Sequence, residues 1–158
     1  MSAVVLMVGQ TGTGKSWLCN RMSKNQSFVE SKSVQSCTSE IKEDACSFLK
    51  NAIVCDTPGY LDSRGGEYDM RCQASVSDYA NDKIIQAFVF TFTNRMDKFT
   101  QSALQAIKKS GGNIVLVRNM MLFDAPEEDK IVEGLPVVSI KANQQDLTVL
   151  EEAIKTCK

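Results

Sequence analysis

Val4-Val5-Leu6-Met7-Val8-Gly9-Gln10-Thr11-Gly12-Thr13-Gly14-Lys15-Ser16 is an apolar β-rich run that empties into Gly-x-x-x-x-Gly-Lys-Ser. The next residues, Trp17-Leu18-Cys19-Asn20-Arg21-Met22, are helix-like, so the motif lies between a strand and a helix. That context is what gives it meaning as a phosphate loop. Glycines let successive backbone N–H groups turn inward around a polyphosphate, and the helix start adds the positive end of its dipole. On this reading Gln10, Thr11, Gly12, Thr13, Gly14, Lys15, Ser16 and Trp17 form the phosphate-binding set. Lys15 reaches the β- and γ-phosphates and is a catalytic candidate, while the Ser16 hydroxyl ligates Mg²⁺.

Outward from this loop, apolar β-rich runs alternate with helical patterns, which implies a mostly parallel sheet covered on both faces. The first strand reads Ala3 to Val8, and the helix after the loop ends near Lys24. Asn25 to Ser39 has too few apolar positions for either period and reads as a loop. An edge strand from Glu40 to Phe48, a turn at Lys50-Asn51 and a buried strand Ala52 to Cys55 ending at Asp56 come next. A glycine-rich loop (Gly59 to Gly66) precedes a helix over about Tyr68 to Asn81. Then follow a strand Ile85 to Phe92, a helix Phe99 to Lys109 stopped by Gly111-Gly112, and a strand Asn113 to Val117. A short helical piece within Pro126 to Glu133, a strand Pro136 to Ile140 and a helix from about Gln145 complete the chain. The expected fold is a three-layer α/β/α P-loop domain over residues 1–158, with a mostly parallel six-stranded sheet and one antiparallel edge strand.

Composition narrows the chemistry. A chain of 158 residues suits one core, and 18 basic against 19 acidic residues give a net charge of −1. Nothing in that balance suggests a nucleic-acid or anionic-membrane surface, so no nucleic-acid partner is expected. Histidine is absent, which removes imidazole acid/base catalysis and His-ligated zinc. Six cysteines are scattered without a Cys-x-x-Cys pair, and no secretory leader is seen, which argues for free thiols in a reducing, cytoplasmic compartment. No apolar run reaches membrane-spanning length, and neither terminus carries a lipidation motif, so no intrinsic membrane anchor is expected.

Two further signals join the phosphate loop. Asp56-Thr57-Pro58-Gly59 follows the buried strand directly. An acidic side chain there can hold the hydration shell of Mg²⁺, and the Gly59 N–H can face a γ-phosphate. Val34-Gln35-Ser36-Cys37-Thr38 lies inside the polar loop, where a second metal-ligating hydroxyl must come from a segment able to close on the γ-phosphate. Thr38 is that candidate, counted with Lys15 as catalytic and with Ser16 and Asp56 as a metal ligand.

With these residues the chain resembles a GTPase of the large translation-factor-related class. It is similar to the immunity-associated (AIG1-type) GTPases and to the guanylate-binding-protein/atlastin group. Gly14-Lys15-Ser16-Trp17-Leu18-Cys19-Asn20 resembles the latter group's phosphate loop and first helix. Gln35-Ser36-Cys37-Thr38 resembles the switch of both, and Asp56-Thr57-Pro58-Gly59-Tyr60-Leu61-Asp62 the pattern of the former. The resemblance implies GTP or GDP as the bound nucleotide with Mg²⁺, slow hydrolysis, and a homodimer across the nucleotide face or another protein partner.

Base recognition departs from the pattern. Asn94-Arg95-Met96-Asp97 imitates Asn-Lys-x-Asp but follows the fourth strand, so it reads as a loop and helix cap. The next strand leads into Val117-Arg118-Asn119-Met120-Met121-Leu122, where either alignment leaves an amide or Leu122 in place of the base-reading Asp. An amide cannot form a bidentate charge-assisted pair, so guanine preference is expected to be weaker. Arg118, Asn119, Ser139 and Lys141 are the residues expected around the base, the last two from a Ser-Ile-Lys that resembles a Ser-Ala-Lys loop after the last strand. Tyr60 stands where Ras-type enzymes place a water-positioning Gln. The leading expectation is a slow GTP-hydrolysing switch. A non-catalytic nucleotide-binding module and an ATP-using phosphotransferase are the alternatives.

Overall fold

Five strand segments are runs of β-branched and other apolar residues, the composition of strands buried on both faces, and the sixth, Lys-Glu-Asp-Ala, is polar. The structure, a computed structural model, describes residues 2–30, 39–60, 66–93, 98–120, 135, 137–141 and 146–157. The elements in chain order are β1 (Ala3–Gly9), α1 (Lys15–Met22), β2 (Lys42–Ala45), β3 (Ala52–Asp56), α2 (Gly66–Asn81) and β4 (Ile84–Phe92). They continue with α3 (Lys98–Lys109), β5 (Ile114–Met120), β6 (Val137–Lys141) and α4 (Thr148–Lys155).

The strands form one sheet in the order β2-β3-β1-β4-β5-β6. All neighbours are parallel except β2, which runs antiparallel to β3 at the edge. This is the six-stranded sheet with one antiparallel edge strand that the alternating segments imply. Successive strand side chains point to opposite faces, and each face has its helices. Val5, Met7, Val89, Val115 and Val117 share a buried cluster with Leu18, Cys19 and Met22 of α1 and Leu150 and Ile154 of α4. On the other face Phe90, Ile114 and Leu116 pack on Leu104 of α3, and Val4, Leu6 and Cys55 meet Val76, Tyr79 and Ala80 of α2. Each such aliphatic or aromatic side chain removed from water contributes about 1.5–3 kcal/mol.

Several boundaries differ from the sequence reading. α1 stops at Met22 rather than near Lys24, because Ser23 is extended and bridges to Cys46. β2 covers only Lys42–Ala45 rather than Glu40 to Phe48, since an edge strand with few apolar side chains has little to hold a longer ladder. β5 continues through Met120, so Arg118 and Asn119 are strand residues, in register with Ser139 and Ile140 of β6. Ser139-Ile140-Lys141 therefore lies inside β6 and not in a loop after it, since its backbone completes the parallel ladder. The expected helical piece within Pro126 to Glu133 lies outside the described residues, as do Asn94 to Asp97.

The start of the polar loop is pinned. Asn20 of α1 donates to Phe28 O (2.8 Å) and accepts from Phe28 N (2.9 Å), much as a neighbouring strand would. Buried Asp44 of β2 accepts from Asn25 N (3.2 Å), Asn25 Nδ2 (2.6 Å), Ser27 Oγ (3.2 Å) and Ala45 N (2.7 Å). Burial opposes its ionisation, but hydrogen bonds from Asn25, Ala45, Ser23 and Ser27 outweigh that and hold the carboxyl below its ordinary range.

Candidate functional site

At the C-terminal end of β1 the chain turns sharply, with Gly12 at φ +83° and Gly14 at φ +88°. Both lie in the left-handed region that favours glycine. Gly14 is also the N-cap of α1, and a Cβ there would overlap the Asn119 amide. The loop is held from three sides. Asn119 Nδ2 donates to Thr13 O at 3.0 Å from β5. Thr13 Oγ1 donates to Gln10 O at 2.9 Å and lies 2.6 Å from Thr91 Oγ1 of β4. Thr11 N donates to Tyr60 O at 3.0 Å, where Gln10 and Tyr60 form a short parallel bridge.

Lys15 is buried and folds over the loop, donating to Gly9 O (3.1 Å) and Gln10 O (2.8 Å). Its ammonium is thus held where the loop backbone curves. Ser16 Oγ donates to Asp56 Oδ2 at 2.6 Å, so the hydroxyl and the carboxylate expected to share a metal do converge. Asp56 is 1% exposed at the end of β3, which places a buried anion at the mouth of the phosphate loop. One hydroxyl plus one carboxylate is a hard-oxygen donor set suited to Mg²⁺, which keeps its remaining positions for water and phosphate. Among the described residues no cluster of three or more His, Cys, Asp or Glu side chains could hold a metal by itself.

Gly59 lies so close to Thr11 that a Cβ would overlap the Thr11 backbone. Only glycine permits that approach between the segment after β3 and the phosphate loop. Thr57 anchors the same segment through Oγ1 to Met7 O at 2.6 Å. Tyr60 is 5% exposed, so the residue in the Gln position is packed inward rather than set over the loop. Beneath the loop, burial and then the charge of Asp56 push the Cys19 thiol well above its ordinary range, and it stays neutral packing. The five described cysteines are free thiols.

The remaining sequence candidates divide. Trp17 is half-buried, with the Arg21 guanidinium 4.2 Å from its ring centre. Arg118 is buried with its guanidinium 5.5 Å from the Phe92 ring centre. Asn119 is brought onto the phosphate loop. Ser139 is exposed on β6, at the far edge of the sheet, and Lys141 is the last residue of that strand. Thr38 lies outside the described residues.

Thr91 escaped the sequence reading, although a hydroxyl inside Phe88-Val89-Phe90-Thr91-Phe92 was a visible signal. It is buried, and its Oγ1 also approaches Val8 O at 3.4 Å. A Cβ on Gly9 would overlap it, so β4 presses directly on the loop's first residue.

Residues 4–120, which carry the phosphate loop, Asp56 to Gly59 and Asn119, match the 50S ribosome-binding GTPase family. The chain belongs to that family. No curated protein matches this GTPase-family chain in sequence. Among solved structures it is similar to a variant of NFeoB from S. thermophilus bound to GDP·AlF4⁻. Identity there is 18% and the TM-score 0.68, over 98% of this chain and 63% of that one. Era in complex with MgGDPNP and nucleotides 1506–1542 of 16S ribosomal RNA is similar at 16% identity and TM-score 0.62, over 89% and 51%. A dimerization-deficient mutant of Toc33 from Arabidopsis thaliana is similar at 16% identity and TM-score 0.60, over 89% and 71%.

At these identities the likeness is one of fold. The chain spans 60–63% of the length of the NFeoB chains it matches. The Era neighbour is held on RNA, so the fold group lends no support to the expectation of a partner set without nucleic acid. The family found is broader than the immunity-associated and guanylate-binding resemblance and does not resolve that subclass. Among the described residues no helix is long and apolar enough to cross a membrane.

Proposed function

We propose that the chain binds GTP with Mg²⁺ and hydrolyses it slowly, acting as a nucleotide-dependent switch. The observation that carries this reading is the 2.6 Å contact between Ser16 Oγ and Asp56 Oδ2 at the mouth of a glycine-built phosphate loop. Lys15 and the loop amides from Gly12 to Ser16 would stabilise charge developing on the phosphates, a role in which preorganised donors are most effective. Ser16 and Thr38 would ligate the metal, and Asp56 would act through metal-bound water. The metal supplies Lewis-acid polarisation of the phosphoryl oxygens when bound; the protein residues position and exclude water around it.

Arg118 and Asn119 would flank the base, with Ser139 and Lys141 contributing from β6. Asn119 already spends an N–H on the Thr13 carbonyl. Tyr60 packed inward favours a low intrinsic rate, and by the same token a non-catalytic binding module as second reading. A homodimer across the nucleotide face, a further protein partner, kinship with the immunity-associated and guanylate-binding groups, and a cytoplasmic, reducing setting complete the proposal.

The test is saturable binding of labelled GTP with Mg²⁺ that collapses in Lys15→Ala; absence of binding in the intact chain refutes it. Competition between ATP and GTP for the one site separates a GTPase from a phosphotransferase. Multiple-turnover phosphate release, measured at high protein concentration to populate dimers, separates the enzyme from the binding module.

A further inference from the structure

Between α2, α3 and the sheet lies a cavity of about 390 Å³, outside the phosphate loop. Its origin is in the side chains. The sheet presents Phe88 and Phe90 there, while the helices place the short residues Cys72, Ala80, Ala103 and Ala106 opposite them, beside Val76 and Ile107. Short side chains opposite fixed rings leave space that close-packed interiors otherwise fill. α2 is weakly seated as a result. Among its described side chains Cys72 alone is buried, although the helix runs 16 residues.

Among the described residues the lining includes no Asp, Glu, Lys or Arg. Of its polar members Gln73, Ser77, Asn81 and Ser110 are solvent-exposed, while Tyr60 and Thr57, whose hydroxyl donates to Met7 O, are buried. On its described lining the pocket is mostly apolar inside, with a neutral, hydrogen-bonding mouth. Its volume is within the range of small-molecule sites, which are mostly apolar with a few polar groups that fix orientation. We infer that this is a second ligand site, taking a small uncharged molecule with an apolar ring or chain and one neutral polar end. Among the described lining residues no cation would meet a carboxylate or phosphate desolvated there.

The site communicates with the phosphate loop through one wall. Tyr60, Pro58 and Thr57 line the cavity, and the Tyr60 carbonyl is the acceptor for Thr11 N. An occupant seated against Tyr60 fixes the segment on which Thr11 and Gly59 rest. This coupling rests on the nucleotide-binding reading above; ligand binding itself does not.

The experiment titrates the intact chain with the uncharged fluorophore N-phenyl-1-naphthylamine and competes it with dodecanol or dodecanoate. Expected are saturation at one equivalent, displacement by dodecanol, and dodecanoate weaker by about tenfold or more. Ala103→Phe and Ala80→Phe should fill the cavity and abolish saturation while keeping the native far-UV circular dichroism. Dodecanol should also slow N-phenylmaleimide labelling of Cys72 in the unaltered protein, a readout that needs no variant to fold. Non-saturable fluorescence, equal competition by dodecanoate, or unchanged labelling of Cys72 overturns the site. Lys15→Ala should still bind the fluorophore, so a failed nucleotide assignment and a failed pocket give different results. With labelled GDP bound, dodecanol should change the nucleotide off-rate by about twofold or more; an unchanged off-rate overturns the coupling.

Discussion

Gly14→Ala tests whether the phosphate loop is held by the sheet or merely shaped by its own glycines. The residue sits at φ +88°, where a side chain costs about 1–2 kcal/mol. The new methyl would also overlap Asn119 Nδ2, whose amide must then leave the Thr13 carbonyl it bonds at 3.0 Å. Losing a buried hydrogen bond and stranding its acceptor costs about 1–3 kcal/mol. Together the single substitution should destabilise by about 2–5 kcal/mol. Asn119→Ala alone removes the same bond and should cost about 1–3 kcal/mol. In the double variant that bond is counted once, so the total should remain near that of Gly14→Ala, with a coupling of about 1–3 kcal/mol. The assay is urea unfolding of all four proteins with unchanged m-values, so that midpoint shifts read as stability. Additivity within about 0.5 kcal/mol refutes the argument, because the two positions would then act independently.

Thr91→Val should weaken labelled-nucleotide affinity severalfold and cost about 1 kcal/mol, since the Thr13 hydroxyl loses its 2.6 Å partner. Thr91→Ser restores the hydroxyl and should recover affinity, which a purely packing role would not predict. Asp44 makes a pH prediction. Its carboxyl is held below the ordinary 3.8, so its stabilisation is complete above that value and is lost as pH falls through the lower folded-state pKa. Relative to wild type, Asp44→Asn should be less stable at neutral pH by about 1.5–3 kcal/mol, and the gap should narrow below about pH 4. Parallel stability curves for the two proteins down to acid would overturn that reasoning.

Much of the site was legible because phosphate binding uses backbone, and the backbone shapes it needs are written in glycines at fixed spacing. Gly9, Gly12 and Gly14 with Lys15 and Ser16 state their geometry locally, and Asp56 declares itself by ending a buried run. Alternating apolar runs likewise specified the sheet class, since a strand buried on both faces admits few other compositions. What escaped was pairwise and distant. Ser139 and Lys141 looked like loop residues until the β5–β6 ladder extended over them, and β5 ran on through Asn119 because β6 was there to pair with it.

The sequence by itself determined a phosphate loop between strand and helix, a carboxylate at the end of a buried strand, and a polar edge strand. These follow from short-range sterics and periodicity. The tertiary structure alone decided that Asn119 and Thr91 grip the loop, that Tyr60 turns inward, and that small side chains leave a cavity under α2. Each depends on which strands and helices become neighbours across the sheet, and no local pattern encodes contacts between residues so far apart in the chain.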